Sequence, residues 1–199
     1  MKRILAYPRI YNLYQSLIGA NAYLRCFSEA FIKTEKGSRI LDMGCGTANI
    51  VSFFSSEIEY IGIDFSQKYI DYASKKYAKQ TFLCCNICEK NQLNGTFDIV
   101  ISKGVMAGLT DEQLLKMFDV IVSLSDKKTR IILSDMNYHK NASFLEKFFE
   151  CHERNKELRS KDDYVKLIGK KFNIDKITEL NNVYRIPYSR IVFECTIKD

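Results

Sequence analysis

The chain has little of what divides a sequence into parts. Two prolines in 199 residues, no Ser/Gly-rich or single-charge stretch and no internal repeat leave no place for a linker. With 46% hydrophobic residues, the length suits one full core better than two small ones. The expected organisation is a single domain over residues 1–199: a helical cap from 1 to 36, a central unit from 37 to 136, and helices with a terminal strand pair from 137 to 199. No stretch approaches the roughly 18 apolar residues of a membrane span. Pro8 and Arg9 also interrupt the start before a leader-like apolar run develops. An odd count of seven cysteines then fits a reducing cytoplasm better than an oxidising compartment.

Histidine is equally scarce. Only His139 and His152 occur, in no paired arrangement, so the Cys85 and Cys88 spacing of "CCNIC" (84–88) lacks the second half of a zinc site. These thiols read as structural and buried, and no metal is expected. The formal charge of +6 is not concentrated either: residues 1–100 hold 12 Lys/Arg against 9 Asp/Glu, and 101–199 hold 18 against 15. A nucleic-acid binder would gather its charge on one face or tail. The densest basic segment, 156–171, alternates with acids as a solvated helix does, Arg159 included.

What is present is an alternation of strand and helix. Apolar residues at helical spacing over 9–32 indicate two helices loosened at Gly19. Then "RILDM" (39–43) reads as a buried strand, "ANIVSFFSS" (48–56) as a helix and "IEYIGIDF" (58–65) as a strand. Ser66 stands at a helix N-cap position, and Ile70, Ala73 and Tyr77 give the stripe of that helix. Strands follow at "TFLCC" (81–85) and "FDIVIS" (97–102), a capping box at Thr110 and Gln113 opens a helix reaching Leu124, and "RIILSD" (130–135) is a fifth strand. This alternation predicts a doubly wound parallel sheet with helices on both faces. After a helical stretch over 141–170, "FNIDKITEL" and "YSRIVFECTI" adjoin without a helix between them and must pair antiparallel.

In such sheets a ligand sits beyond the carboxyl ends of the strands, at the first strand-to-helix turn, where "RILDMGCGTANI" (39–50) places Gly44 and Gly46. A phosphate loop of the Walker type needs Lys-Ser or Lys-Thr after its last glycine, and "GCGTANIV" has neither. A dinucleotide fingerprint needs a third glycine where Asn49 stands, so NAD is the second choice of cofactor. Asp42 lies two residues before the first glycine, and Asp64 ends the next strand, where a carboxylate accepts hydrogen bonds from ribose hydroxyls. A ligand with a ribose and no pyrophosphate suits this arrangement.

These residues resemble the class I S-adenosylmethionine-dependent methyltransferases over most of the chain. "LDMGCGTAN" looks like the family's first motif, with Ala48 in place of a usual glycine, and "YIGIDFS" like its second. The resemblance implies a Rossmann-like sheet of seven strands, mostly parallel with the last antiparallel, and S-adenosylmethionine as cofactor. It implies that Asp42, Gly44, Cys45 and Gly46 face the cofactor's methionine part, that Asp64 holds the ribose and that Phe65 packs on the adenine. Asn86 stands where the family often has an Asp for the adenine amino group; Ile87 would cover the adenine edge, with Ser102 and Lys103 at the cofactor's rim.

The expected reaction is methyl transfer to a small molecule: a metabolite, natural product or saccharide. Such a displacement needs alignment and exclusion of water more than an elaborate catalytic set. Acceptor contacts are expected from Tyr11, Met106, Tyr138, Arg154 and Tyr188, with Tyr14 beside Tyr11 over the cofactor. His139, after the fifth strand, is the candidate base. Relatives of this kind often carry a His-His pair where Ala107 and Gly108 stand here, so the alternative is a cofactor-binding partner or regulatory protein without turnover. RNA or protein methylation ranks lower: no Asn-Pro-Pro-Tyr-like segment follows the fourth strand.

Overall fold

The computed structural model describes residues 7–54, 57–89, 93–137, 157, 159–181, 183–185 and 189–198. Two N-terminal helices, α1 (Pro8–Leu17) and α2 (Ala20–Phe31), are separated at Gly19, whose φ of 83° is left-handed and open to glycine at little cost. Seven strands follow: β1 (Arg39–Met43), β2 (Glu59–Asp64), β3 (Thr81–Cys84), β4 (Ile99–Lys103), β5 (Arg130–Met136), β6 (Phe172–Leu180) and β7 (Arg190–Ile197). Between them stand α3 (Gln67–Lys76), α4 (Asp111–Ser123) and α5 (Lys161–Ile168). The expected helical stretch from 141 is described only from α5 onward.

The strands form one sheet in the order β3-β2-β1-β4-β5-β7-β6. The first five pair in parallel, and β7 inserts antiparallel to both β5 and β6. The chain runs outward from β1 to β3 and then restarts at β4 on the other side of β1. That reversal puts the carboxyl ends of β1 and β4 at the mouth of a crevice.

Each face of the sheet carries its own apolar cluster. Tyr23, Leu24, Phe27 and Phe31 of α2 pack with Ile50, Ile70 and Ala73 against Ile40, Ile101 and Ile132 on one face. On the other, Leu114, Phe118 and Ile121 of α4 and Tyr164 and Ile168 of α5 pack against Leu41, Val100 and Phe193. Adjacent residues of β1 and β4 serve opposite faces, which explains their uninterrupted apolar runs.

One element departs from its sequence signature. Residues 48–56 read as a helix, yet its described residues, 48–54, form a 3-10 turn, Asn49–Phe53. Ile, Val, Phe and Ser are poor helix formers, and Ala48 takes a left-handed φ of 52° ahead of them, so an α-helix is neither favoured nor smoothly entered.

Candidate active site

β1 delivers a buried strand to the turn, and glycine then does what no other residue could. Gly44 has φ of 81°, and a Cβ there would meet Val105 Cγ2 at 2.3 Å, so the loop after β4 closes directly over the backbone. Gly46 follows at φ of 56°. The N–H groups of Gly44 and Cys45 both donate to the Ile63 carbonyl, at 2.8 and 2.9 Å. The N–H of Gly46 donates to Asp64 Oδ2 at 3.0 Å. Three successive loop donors are thus turned toward β2, which removes the nest of free N–H groups that a phosphate would need.

Two carboxylates flank this turn. Asp42 is 2% exposed; its Oδ2 accepts the Tyr60 hydroxyl at 2.7 Å, while its buried Oδ1 has no donor among the described residues. Burial pushes its pKa up to about 6, against the opposing pull of Lys103 and the Tyr60 hydroxyl. Asp64 Oδ1 accepts the Ser66 N–H at 2.8 Å, so the two loop amides fix both of its oxygens. Burial raises its pKa while these two donors hold it back. Ser66 stands at the N-cap of α3, as its sequence signature indicates, but makes no side-chain cap; its backbone carbonyl accepts the Tyr69 and Ile70 N–H groups at 2.9 and 3.1 Å. Each Asp64 oxygen keeps a second lone pair for an outside donor. Beside it the Phe65 ring stands 85% exposed, an apolar face at the crevice.

The other sequence-predicted residues divide. Asn86 Oδ1 accepts the Cys88 N–H at 3.0 Å, and its amide donates to Glu89 at 2.7 Å, forming a local turn after β3. Ile87 is 8% exposed and packs into the α4-side core. Tyr11 lays its ring on Tyr69 of α3, with centroids 5.4 Å apart. Lys103, half-buried at the end of β4, has its ammonium pKa lowered by burial, against the attraction of Asp42. Ser102 and Met106 are enclosed instead of presented: Ser102 donates to the Met43 carbonyl at 3.2 Å, and Met106 is wholly within the core. Tyr138, His139, Arg154 and Tyr188 lie outside the described residues, as do Cys151 and His152. Of the thiols read as buried, Cys84 is exposed and Cys85 and Cys88 are half-buried, while Cys45 and Cys195 are enclosed.

Several residues the sequence reading passed over organise the crevice. Asn12 of α1 accepts from Thr47 Oγ1 at 2.7 Å and from Asn49 Nδ2 at 2.8 Å, tying the helix to the glycine turn. Arg159, expected on a solvated face, is 5% exposed; it donates to the carbonyls of Met106 and Leu109 and to Asp111, fastening the loop after β4. Asp135 is fully buried and accepts the N–H of Ala107 at 2.9 Å and of Met136 at 2.7 Å. Arg190, opposite Met136 in the register, stands beside it. A Tyr two residues from a strand glycine, or an Arg opening a strand, carries no signal of this kind until the strands are ordered.

The reversed strand order, the antiparallel β7 and a sealed glycine turn between two acids define a Rossmann-like domain with a nucleoside-type site. A protein-family profile described as "Methyltransferase domain" matches residues 34–186, and the chain belongs to that family. Its fold is shared with class I S-adenosylmethionine-dependent methyltransferases. Magnesium protoporphyrin IX methyltransferase (ChlM) from Synechocystis PCC 6803, with bound SAH, is 22% identical at a TM-score of 0.66, over 93% of this chain and 84% of that one. An S-adenosylmethionine-dependent methyltransferase from Clostridium acetobutylicum is 14% identical at a TM-score of 0.71, over 96% and 98% of the two chains. The N-methyltransferase NodS from Bradyrhizobium japonicum, in complex with S-adenosyl-L-homocysteine, is 9% identical at a TM-score of 0.66, over 91% and 86%. Comparison with curated proteins finds no match. Among the described residues no helix is long and apolar enough to cross a membrane.

Proposed function

We propose that the protein transfers a methyl group from S-adenosylmethionine to a small-molecule acceptor. The observation that carries this reading is Asp42 Oδ1: a buried carboxylate oxygen without a donor among the described residues, next to a glycine turn whose amides are already committed. An oxygen in that state asks for a donor from outside, and the cofactor's ammonium group is of the right chemistry. The residues fit the rest of the cofactor as well. Asp64, held by two N–H groups, has lone pairs left for both ribose hydroxyls, and the exposed Phe65 ring offers the adenine a face. Asn86, in the turn after β3, is the residue we assign to the adenine amino group. When bound, the cofactor supplies a methyl group already activated on a sulfonium.

The chain's own work is then to align the acceptor and keep water out. α1, tied down at Asn12, covers the glycine turn, and the loop strapped by Arg159 covers the carboxyl end of β4. A small-molecule acceptor agrees with the relatives named above, one of which acts on magnesium protoporphyrin IX. Isothermal titration with S-adenosylmethionine and S-adenosylhomocysteine tests the reading: binding of both supports it, and binding of neither overturns it. Incubation with methyl-labelled cofactor and a metabolite panel then identifies the acceptor.

A further inference from the structure

Asn12 holds a donor with no acceptor. Its side chain lies between α1 and the glycine turn, where Oδ1 accepts from Thr47 Oγ1 at 2.7 Å and from Asn49 Nδ2 at 2.8 Å. The neighbours fix which way this amide faces. Lys76 Nζ donates to Asn49 Oδ1 at 3.0 Å, and an ammonium has no lone pair with which to accept. Asn49 therefore turns its amide nitrogen to Asn12, which answers with its oxygen. Asn12 Nδ2 is the atom left over, buried and without a hydrogen-bond partner among the described residues. An amide N–H in that state is costly unless something outside the chain accepts from it.

Asp42 Oδ1 is its counterpart at the other end of the turn: a buried acceptor without a donor among the described residues. Asp42 stands just before Gly44, and Asn12 rests on Thr47 just after Gly46. One spare acceptor and one spare donor on the same turn match a ligand end that is a zwitterion, an ammonium beside a carboxylate. The turn does not take the carboxylate with its own first amides, because the N–H groups of Gly44 and Cys45 donate to the Ile63 carbonyl and that of Gly46 to Asp64. A donor from α1 fills the gap. That helix buries none of its residues and pivots at Gly19, so a contact at Asn12 has a large share in how firmly it is held.

Resting on the methyltransferase reading, we infer that Asn12 Nδ2 donates to the carboxylate of S-adenosylmethionine, so that the cofactor itself clasps α1 onto the glycine turn. Asn12 precedes residues 34–186, the part that the family profile matches, and belongs to this chain's own N-terminal helix. Asn12→Asp isolates the donor: the variant keeps an oxygen for Thr47 and Asn49 and sets a second carboxylate oxygen where the N–H stood. The native chain and the variant are titrated with S-adenosylhomocysteine, with its decarboxylated analogue S-adenosyl-3-thiopropylamine, which keeps the ammonium, and with 5′-methylthioadenosine, which has neither group. The native chain should prefer S-adenosylhomocysteine to the analogue by at least about tenfold, the worth of a hydrogen bond to a charged group. In Asn12→Asp that preference should vanish or reverse, with 5′-methylthioadenosine bound as before. Hydrogen exchange adds a second readout: S-adenosylhomocysteine should slow the amides of α1 in the native chain more than the analogue does. An equal loss of all three ligands in the variant overturns the inference, since it reports a displaced helix instead of a lost donor. So does an undiminished preference for S-adenosylhomocysteine in the variant, which gives the carboxylate to another group, or equal protection of α1 by the two ligands. If the native chain binds S-adenosylhomocysteine and the analogue equally, the inference alone falls; if it binds none of the three, the methyltransferase reading falls and takes the inference with it.

Discussion

Asp42 concentrates the account at the scale of the residue. Its pKa, raised by burial from 3.8 to about 6, means that the folded chain holds a proton there that the unfolded chain has released. Between those two values the stability of the free protein therefore falls as pH rises. A bound ammonium reverses the preference, because it favours the carboxylate. S-adenosylhomocysteine affinity should then climb toward pH 6 by up to about tenfold per pH unit and level off above it. Calorimetry across that range on the native chain and on Asp42→Asn checks this; a native profile as flat as the variant's removes Asp42 from the site. Gly44→Ala sets the new Cβ against Val105 and leaves the residue at a positive φ. A loss of about 2–3 kcal/mol in denaturant unfolding is expected from the clash and the strain together. Arg159→Ala leaves the Met106 and Leu109 carbonyls without their donor, at about 2–3 kcal/mol by the same measurement.

Elements differ in how firmly they are held. α4 begins with a complete capping box at Thr110 and Gln113, as its sequence announces, and Thr110→Ala should cost about 1 kcal/mol in thermal unfolding. α1 is the opposite case: it buries none of its residues, pivots at Gly19 and is tied to the glycine turn through Asn12. Its amides should exchange hydrogen faster than those of α2 and α4, and Asn12→Ala should speed them further with little effect on α4. Unchanged exchange in α1 would show that the tie to the turn does not hold it. What made elements legible was period and punctuation. β1, β4 and β5 are apolar runs of strand length, and α3 and α4 carry helical stripes; each falls within two residues of its expected bounds. The segment 48–56 misled because its apolar content comes from residues that fit a helix face but do not favour a helix.

For the molecule as a whole, local pattern gave the parallel units, and the terminal strands without a helix between them gave the antiparallel end. The order β3-β2-β1-β4-β5-β7-β6 sets β1 beside β2, so that Asp42, Gly44 and Asp64 stand at neighbouring strand ends. What stayed illegible is whatever depends on side chains meeting across that order. Tyr60 reaches Asp42, Arg190 reaches over Gly104, and Arg159 fastens a loop about 50 residues earlier, all through contacts with no spacing rule. The enclosure of Ser102 and Met106 was illegible for the same reason: position at the end of a strand does not tell which face a side chain takes. The central claim is that the sealed turn between Asp42 and Asp64 holds the nucleoside of a methyl donor. Isothermal titration of S-adenosylhomocysteine into the native chain and into Asp64→Ala tests it most directly. The account predicts saturable binding to the native chain and at least about a tenfold loss in the variant, from two charge-assisted hydrogen bonds. Binding to neither, or equal binding to both, would contradict it.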